Sequence, residues 1–300
     1  MTRAGKAELL LLAATAIWGS TFTLGKIVLL EVTPLQMVFV RFSAASLLVT
    51  AFAWRAIFPI PWRSVAKGVI LGIFVFFGFL TQTVGLTITT ASKSAFITGM
   101  MVIFVPLLQF MMERRAPKVG NVVGVAIVSG GLWLLTSPAG STFNAGDALT
   151  VVCAVVFAVY IVYLDIVSRE VTTMRLIFLQ LTTNAVLALI GLLFFGPPRL
   201  SVSTGGAAIL VFLTLFATVL TFLIQTRYQK DTTPVRAVVI FTMEPVFAAV
   251  IAFFVLREGI DGALGGALII GGVLVSELSD SIPGLRRSLD AGGAGQENAP

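Results

Sequence analysis

Histidine is absent from the 300 residues, and cysteine occurs once, at Cys153. Disulfides, Cys/His zinc sites, haem held by histidine and Ser-His-Asp catalysis are therefore excluded within this chain. No G-x-x-x-x-G-K-[ST] occurs, so the chain carries no ATP-hydrolysing P-loop of its own. Charge is scarce as well: 11% of residues are Asp, Glu, Lys or Arg, against about 25% in a soluble domain. What fills the space is apolar, with 57% hydrophobic residues and a mean hydropathy of +1.02. Runs of that kind recur along the chain without the alternation of an outer-membrane barrel strand. The fold class is an all-α polytopic membrane protein.

Breaks marked by polar residues, Pro or Gly divide the chain into ten predicted spans: 8–29, 34–53, 65–86, 94–112, 119–136, 147–167, 174–195, 206–226, 234–256 and 261–278. The first is too long, and lacks the small-residue cleavage site, for a removable signal peptide. Of the 20 Lys and Arg, 15 fall on one side if the N-terminus lies inside, and Lys93, Arg199 and Arg257 fall on the other. By the positive-inside rule both termini are expected in the cytoplasm. The basic balance then reads as a sorting signal with no nucleic-acid partner. Trp54, Trp62 and Trp133 sit near span ends, where indoles anchor at the headgroups. The Gly/Ala-rich polar stretch 283–300 is expected to be a disordered cytoplasmic tail.

The chain repeats itself. EVTPLQMVFVRF at 31–42 matches EVTTMRLIFLQL at 170–181, an offset of 139 that also carries Pro106 onto Pro245. Gly124, Gly130 and Gly131 match Gly265, Gly271 and Gly272 at 141. A duplicated unit of five spans, 7–138 and 146–277, enters the membrane from opposite sides in its two copies. Inverted repeats of this sort mark secondary transporters, whose substrate sites lie near the midplane between the halves.

Polar side chains within spans are costly and should face the bundle interior or a wet cavity. Arg41, Gln82, Gln180, Asn184 and Glu244 are of this type, and Arg41 maps onto Gln180 in the repeat. With the aromatic residues Trp18 and Tyr163 they form the expected cavity or gate. Tyr160 is a further candidate. Glu244 lies about 15 Å from the inner end of its span and Arg41 about 10 Å from the outer end of its own, at 1.5 Å per residue. In a core of about 30 Å this makes Arg41 the first-ranked partner for Glu244, and Arg236 the second. A structural pair, a proton- or ligand-binding carboxylate, and a pair opened by substrate all stay open. Pro106 and Pro245 are expected to kink their helices. Gly120/Gly124 and Gly262/Gly266 are small-xxx-small spacings for close packing, inside the fold or across a dimer contact. Monomer and homodimer both remain.

TAIWGSTFTLGK, PLQMVFVRFSAASLL, SAFITGMMVIFVPLLQFMMERR and VRAVVIFTMEPVFAAVIAFFVLREG together resemble the EamA-type repeat of the bacterial drug/metabolite transporter superfamily over residues 8–278. The resemblance implies ten helices in two inverted halves, a central cavity and transport of small metabolites across a bacterial inner membrane. Members resembling the YddG-type exporters move amino acids, the aromatic ones and methionine above all. The expectation is an amino-acid exporter working by alternating access, with no cofactor and no metal, and not an enzyme. A multidrug or other metabolite carrier, a passive channel and an intramembrane enzyme are the alternatives.

Overall fold

The computed structural model describes residues 2–114, 119–136, 143–195, 202–257 and 263–278. The tail 283–300, Glu258 and Gly262 lie outside them. Helices account for nearly all of these residues, and no strand occurs among them. In order they are α1 (Arg3–Val28), α2 (Pro34–Ile57), α3 (Trp62–Ile88), α4 (Ala91–Gly99), α5 (Met101–Glu113), α6 (Val119–Thr136), α7 (Ala145–Val167), α8 (Thr173–Phe195), α9 (Thr204–Thr214), α10 (Thr221–Tyr228), α11 (Pro234–Phe241), α12 (Glu244–Leu256) and α13 (Ala263–Leu278). A π-helical turn, Leu215–Leu220, joins α9 to α10. Taken with their continuations, eight helices among the described residues are long and apolar enough to cross a membrane.

Local sequence sets the starts. Thr33 caps α2 in a reciprocal box with Gln36, and Pro34 occupies the first turn, where its missing N–H is no loss. Asn144 and Asp147 do the same for α7. Thr90, Ser203 and Thr233 cap α4, α9 and α11.

Small residues let the helices close on one another, since lipid supplies no hydrophobic drive between them. A Cβ on Gly131 would lie 2.8 Å from the Gly265 carbonyl, and one on Gly272 would lie 2.9 Å from the Gly124 carbonyl. These two contacts are each other's repeat equivalents at an offset of 141. The glycine faces of α6 and α13 thus pack within the fold. The outer surface is greasy: Phe52, Leu193, Phe194 and Phe195 are each more than three-quarters exposed, as side chains facing lipid should be. Trp54, Trp62 and Trp133 are exposed too.

Polar contacts gather at the two ends of the bundle. One end holds Arg3–Asp231 at 2.8 Å, Arg236–Glu8 at 3.1 Å, and Lys67 against Glu170. The other holds Lys93–Asp147 at 2.6 Å, Lys26 on the Thr89 carbonyl, and Glu31 taking the Ser203 amide and hydroxyl, both at 2.7 Å. Glu31 lies between α1 and α2, and the Ser203 hydroxyl and then its amide hold the Glu31 carboxyl below the ordinary 4.5.

The prolines break the expected pattern. Pro106 lies inside α5, and the interruption falls earlier, at Met100. Pro245 opens α12 just after a break at Thr242–Met243. The two are not equivalent. Caps Thr90 and Thr233 differ by 143, as do the breaks at Met100 and Met243 and the left-handed C-caps Arg114 and Arg257. The shift from 139 builds up in stages. N-caps Pro61 of α3 and Ser203 of α9 are 142 apart, after a longer connection, and the residues beyond these passes, Thr89 and Thr232, are 143 apart. The one residue gained on the way coincides with the π turn, which accommodates an inserted residue.

Candidate functional site

At the centre lies a cavity with about 540 Å³ of atom-free space, the solvent at its open side included. Corrected for register, twelve of its 14 lining residues form six repeat-related pairs. At an offset of 139, Trp18 of α1 corresponds to Phe157 of α7, and Thr21 to Tyr160. At 143, Phe79 and Gln82 of α3 correspond to Phe222 and Gln225 of α10. By the same offset, Thr98 and Met101 beside the first helix break correspond to Phe241 and Glu244 beside the second. Phe79 and Phe222 meet across the middle, ring centroids 6.1 Å apart. The breaks themselves adjoin, because Gly99 leaves room for the Pro245 ring: a Cβ there would lie 3.2 Å from its Cγ.

Of the residues that the sequence puts forward, Trp18, Gln82 and Glu244 line this cavity, as does Tyr160. Arg41, Gln180, Asn184 and Tyr163 do not. Gln180 stands behind the wall, accepting from the Tyr160 hydroxyl at 3.0 Å and donating to Thr226 at 3.2 Å. Asn184 is fully buried on α8, and neither polar atom of its amide has a hydrogen-bond partner. Tyr163 packs edge-on against Phe74, half-buried, away from the cavity.

Arg41 does not pair with Glu244. Its Nη2 donates to the Ala217 carbonyl at 2.7 Å and its Nε to the Thr218 hydroxyl. Both acceptors belong to the π turn, whose altered bonding pattern leaves carbonyl capacity for outside donors. Trp18 Nε1 donates to the same Ala217 oxygen at 3.3 Å. The guanidinium lies over the Phe79 ring at 4.8 Å, and Arg41, unlike Phe79, does not line the cavity. Depth alone made the pair look natural, yet depth says nothing of azimuth around the helix. The second-ranked partner, Arg236, is held by Glu8. Among the described residues, none gives the Glu244 carboxylate an ion pair or a hydrogen bond, although 93% of the residue's surface is covered.

Phe157, Thr98, Met101 and Phe241 went unnoticed as wall residues. A usable signal was present: FLTQT at 79–83 recurs as FLIQT at 222–226, and TTASK at 89–93 as TTPVR at 232–236, both at 143.

A bundle of membrane-length helices around an aromatic cavity that holds one carboxylate is the architecture of a polytopic membrane protein. The chain belongs to the EamA-like transporter family, whose model matches it twice, over residues 5–137 and 144–278. It is similar to two proteins of Archaeoglobus fulgidus, each named only as an uncharacterized transporter. One is 30% identical over 274 residues, covering 91% of this chain and 86% of the relative; the other is 25% identical over 291, covering 90% and 97%. A solved crystal structure aligns with 95% of this chain and 99% of its own at a TM-score of 0.76 and 18% identity, a likeness of fold. The protein is therefore a transporter and not an enzyme in the usual sense.

Proposed function

We propose that the protein is a secondary transporter of small, amine-bearing organic metabolites, amino acids of the aromatic and methionine class among them, working by alternating access through the central cavity. The single observation that carries this is Glu244: a covered carboxylate without a partner among the described residues, set in an aromatic chamber between two adjoining helix breaks. An ionised group in that position is costly in a membrane, and a cationic substrate offsets the cost while bound. The reading takes the chain as ten passes in two inverted five-helix repeats, 7–138 and 146–277, with both termini in the cytoplasm and the molecule in the inner membrane of the cell. The six paired wall positions and the double family match support the repeats, and the 15-to-3 cation bias supports the orientation. Export as the direction, and amino acids as the class, come from the family resemblance.

The test is a panel of labelled amino acids in proteoliposomes, with and without a pH gradient. Saturable flux accelerated by unlabelled substrate on the far side is expected for at least one member. Glu244→Gln should lower that flux tenfold or more. Flux that never saturates would make the protein a channel and sink the proposal.

A further inference from the structure

The polar groups of the cavity wall can be sorted by what they still offer to a guest. Of the charged side chains, only Glu244 reaches the wall among the described residues, and it is an acid. The hydrogen-bond donors are mostly used up. Trp18 Nε1, Thr21 Oγ1 and Tyr160 Oη have one hydrogen each, and all three donate outward, to the Ala217 carbonyl, the Trp18 carbonyl and Gln180. Gln82 and Gln225 each commit one of their two amide hydrogens, to Thr98 and Gln229, and keep the other. Gln229 is in turn fixed by donating to the Ile161 carbonyl at 2.8 Å. Acceptors are left over: the Glu244 carboxylate, the amide oxygens of Gln82 and Gln225, and the free lone pairs of the Tyr160 oxygen.

Such a surface suits a guest that donates and carries positive charge. A substrate carboxylate would find no cation in the wall, because Arg41 is turned onto the π turn and lies over Phe79. Trp18, Phe157 and Phe222 line the cavity, and aromatic rings attract an ammonium while enclosing an apolar body.

From this we infer that the cavity recognises its substrate through one organic ammonium group, held at Glu244, and does not read a carboxylate. Decarboxylated amines and amino-acid amides with an aromatic or apolar body are then bound at least as well as the zwitterionic amino acids. This inference rests on the transport reading above and narrows its substrate class.

The experiment measures competition binding to the full chain in nanodiscs, using phenylalanine, phenylalaninamide, 2-phenylethylamine, N-acetylphenylalanine and 3-phenylpropionate, alongside flux of the same compounds in proteoliposomes. The amide and the amine should bind as tightly as phenylalanine or more tightly. The two compounds without an ammonium should bind at least tenfold more weakly, and Glu244→Gln should remove the difference. Phenylalanine binding tenfold more tightly than 2-phenylethylamine, or 3-phenylpropionate binding as well as the amine, overturns the inference. In the first of these cases saturable phenylalanine flux leaves the transport proposal standing. Amine binding without flux of any compound keeps the site and overturns the transport proposal. No binding by any of the five overturns the inference, and the flux panel above then decides the transport proposal separately. The ligand series on the unaltered protein decides the matter even if the variant folds poorly.

Discussion

Replacing Arg41 with glutamine should cost about 2 kcal/mol of stability, and removing the charge of Glu244 should not restore it. The guanidinium makes two hydrogen bonds, to Ala217 and Thr218, and lies over two rings, Phe79 at 4.8 Å and Phe42 at 5.6 Å, the nearer being the contact that counts most. A bond from a charged donor is worth about 1.5–3 kcal/mol net, and a cation–π contact about 0.5–2. Glutamine keeps a donor for one of the two acceptors. Neither acceptor is orphaned in any case, because Ala217 still takes the Trp18 indole and Thr218 still donates to the Leu213 carbonyl at 2.9 Å. The loss is thus one bond and the ring contact, offset in part because a buried charge no longer needs desolvating, which leaves about 2 kcal/mol. If Arg41 and Glu244 were instead a buried ion pair, breaking it from one side would cost about 3–5 kcal/mol and removing the second charge would recover much of that. A double-mutant cycle of Arg41→Gln and Glu244→Gln, followed by unfolding in mixed SDS micelles, separates the two cases. Additivity within about 0.5 kcal/mol is expected for sites without shared partners. A coupling above about 1.5 kcal/mol, with Glu244→Gln rescuing Arg41→Gln, would refute the geometry described here.

Two further outcomes follow from packing and from titration. Gly131→Leu should destabilise by about 1–3 kcal/mol through overpacking, because its Cβ would meet the α13 backbone at 2.8 Å. Gly130→Leu, with nothing within 4 Å, should be neutral, and thermal unfolding of the two variants in detergent measures the contrast. Glu31 is held below 4.5 by Ser203. A carboxyl depressed in the folded state contributes stability that is present above its unfolded value and lost as pH falls through its folded value. The difference in melting temperature between wild type and Glu31→Gln should therefore be largest near pH 7 and close below pH 4.5; a difference that widens with acid would contradict it.

Composition and periodicity made the helices legible, because a span in lipid must satisfy its backbone internally and so announces itself as an uninterrupted apolar run. Span limits came from polar, Pro and Gly breaks, and caps such as Thr33 and Asn144, which act locally, sit at those breaks. The cavity was harder to read for two reasons. Rotation about a helix axis decides whether Arg41 faces the cavity or the π turn, and a run that is apolar on every side carries little amphipathic signal for it. The repeat register also drifts from 139 to 142, 143 and 141, so aligning the two prolines placed Val105 opposite Glu244. Val105 is in fact fully buried, in the hydrophobic core and not on the cavity wall. Tyr163 and Asn184 looked suitable by residue type, but type carries no azimuth either.

With the register set at 143, the residue opposite Glu244 is Met101, and both line the cavity. The two halves thus supply matching positions around the chamber, with like residues at Phe79 and Phe222 and at Gln82 and Gln225, and differ in charge at one pair only. A symmetric chamber with two carboxylates would place like charges in a medium that screens them poorly. One with none would leave an ammonium without a counter-charge. A single acid against a methionine avoids both. Glu244 sits at the start of α12, on the broken helix that adjoins its counterpart at Gly99 and Pro245. A shift of one break against the other would move the carboxylate relative to the aromatic wall, and substrate held there would move with it. On the alternating-access reading proposed above, the charge asymmetry between the repeats thus lies at a helix break, where binding can be joined to motion.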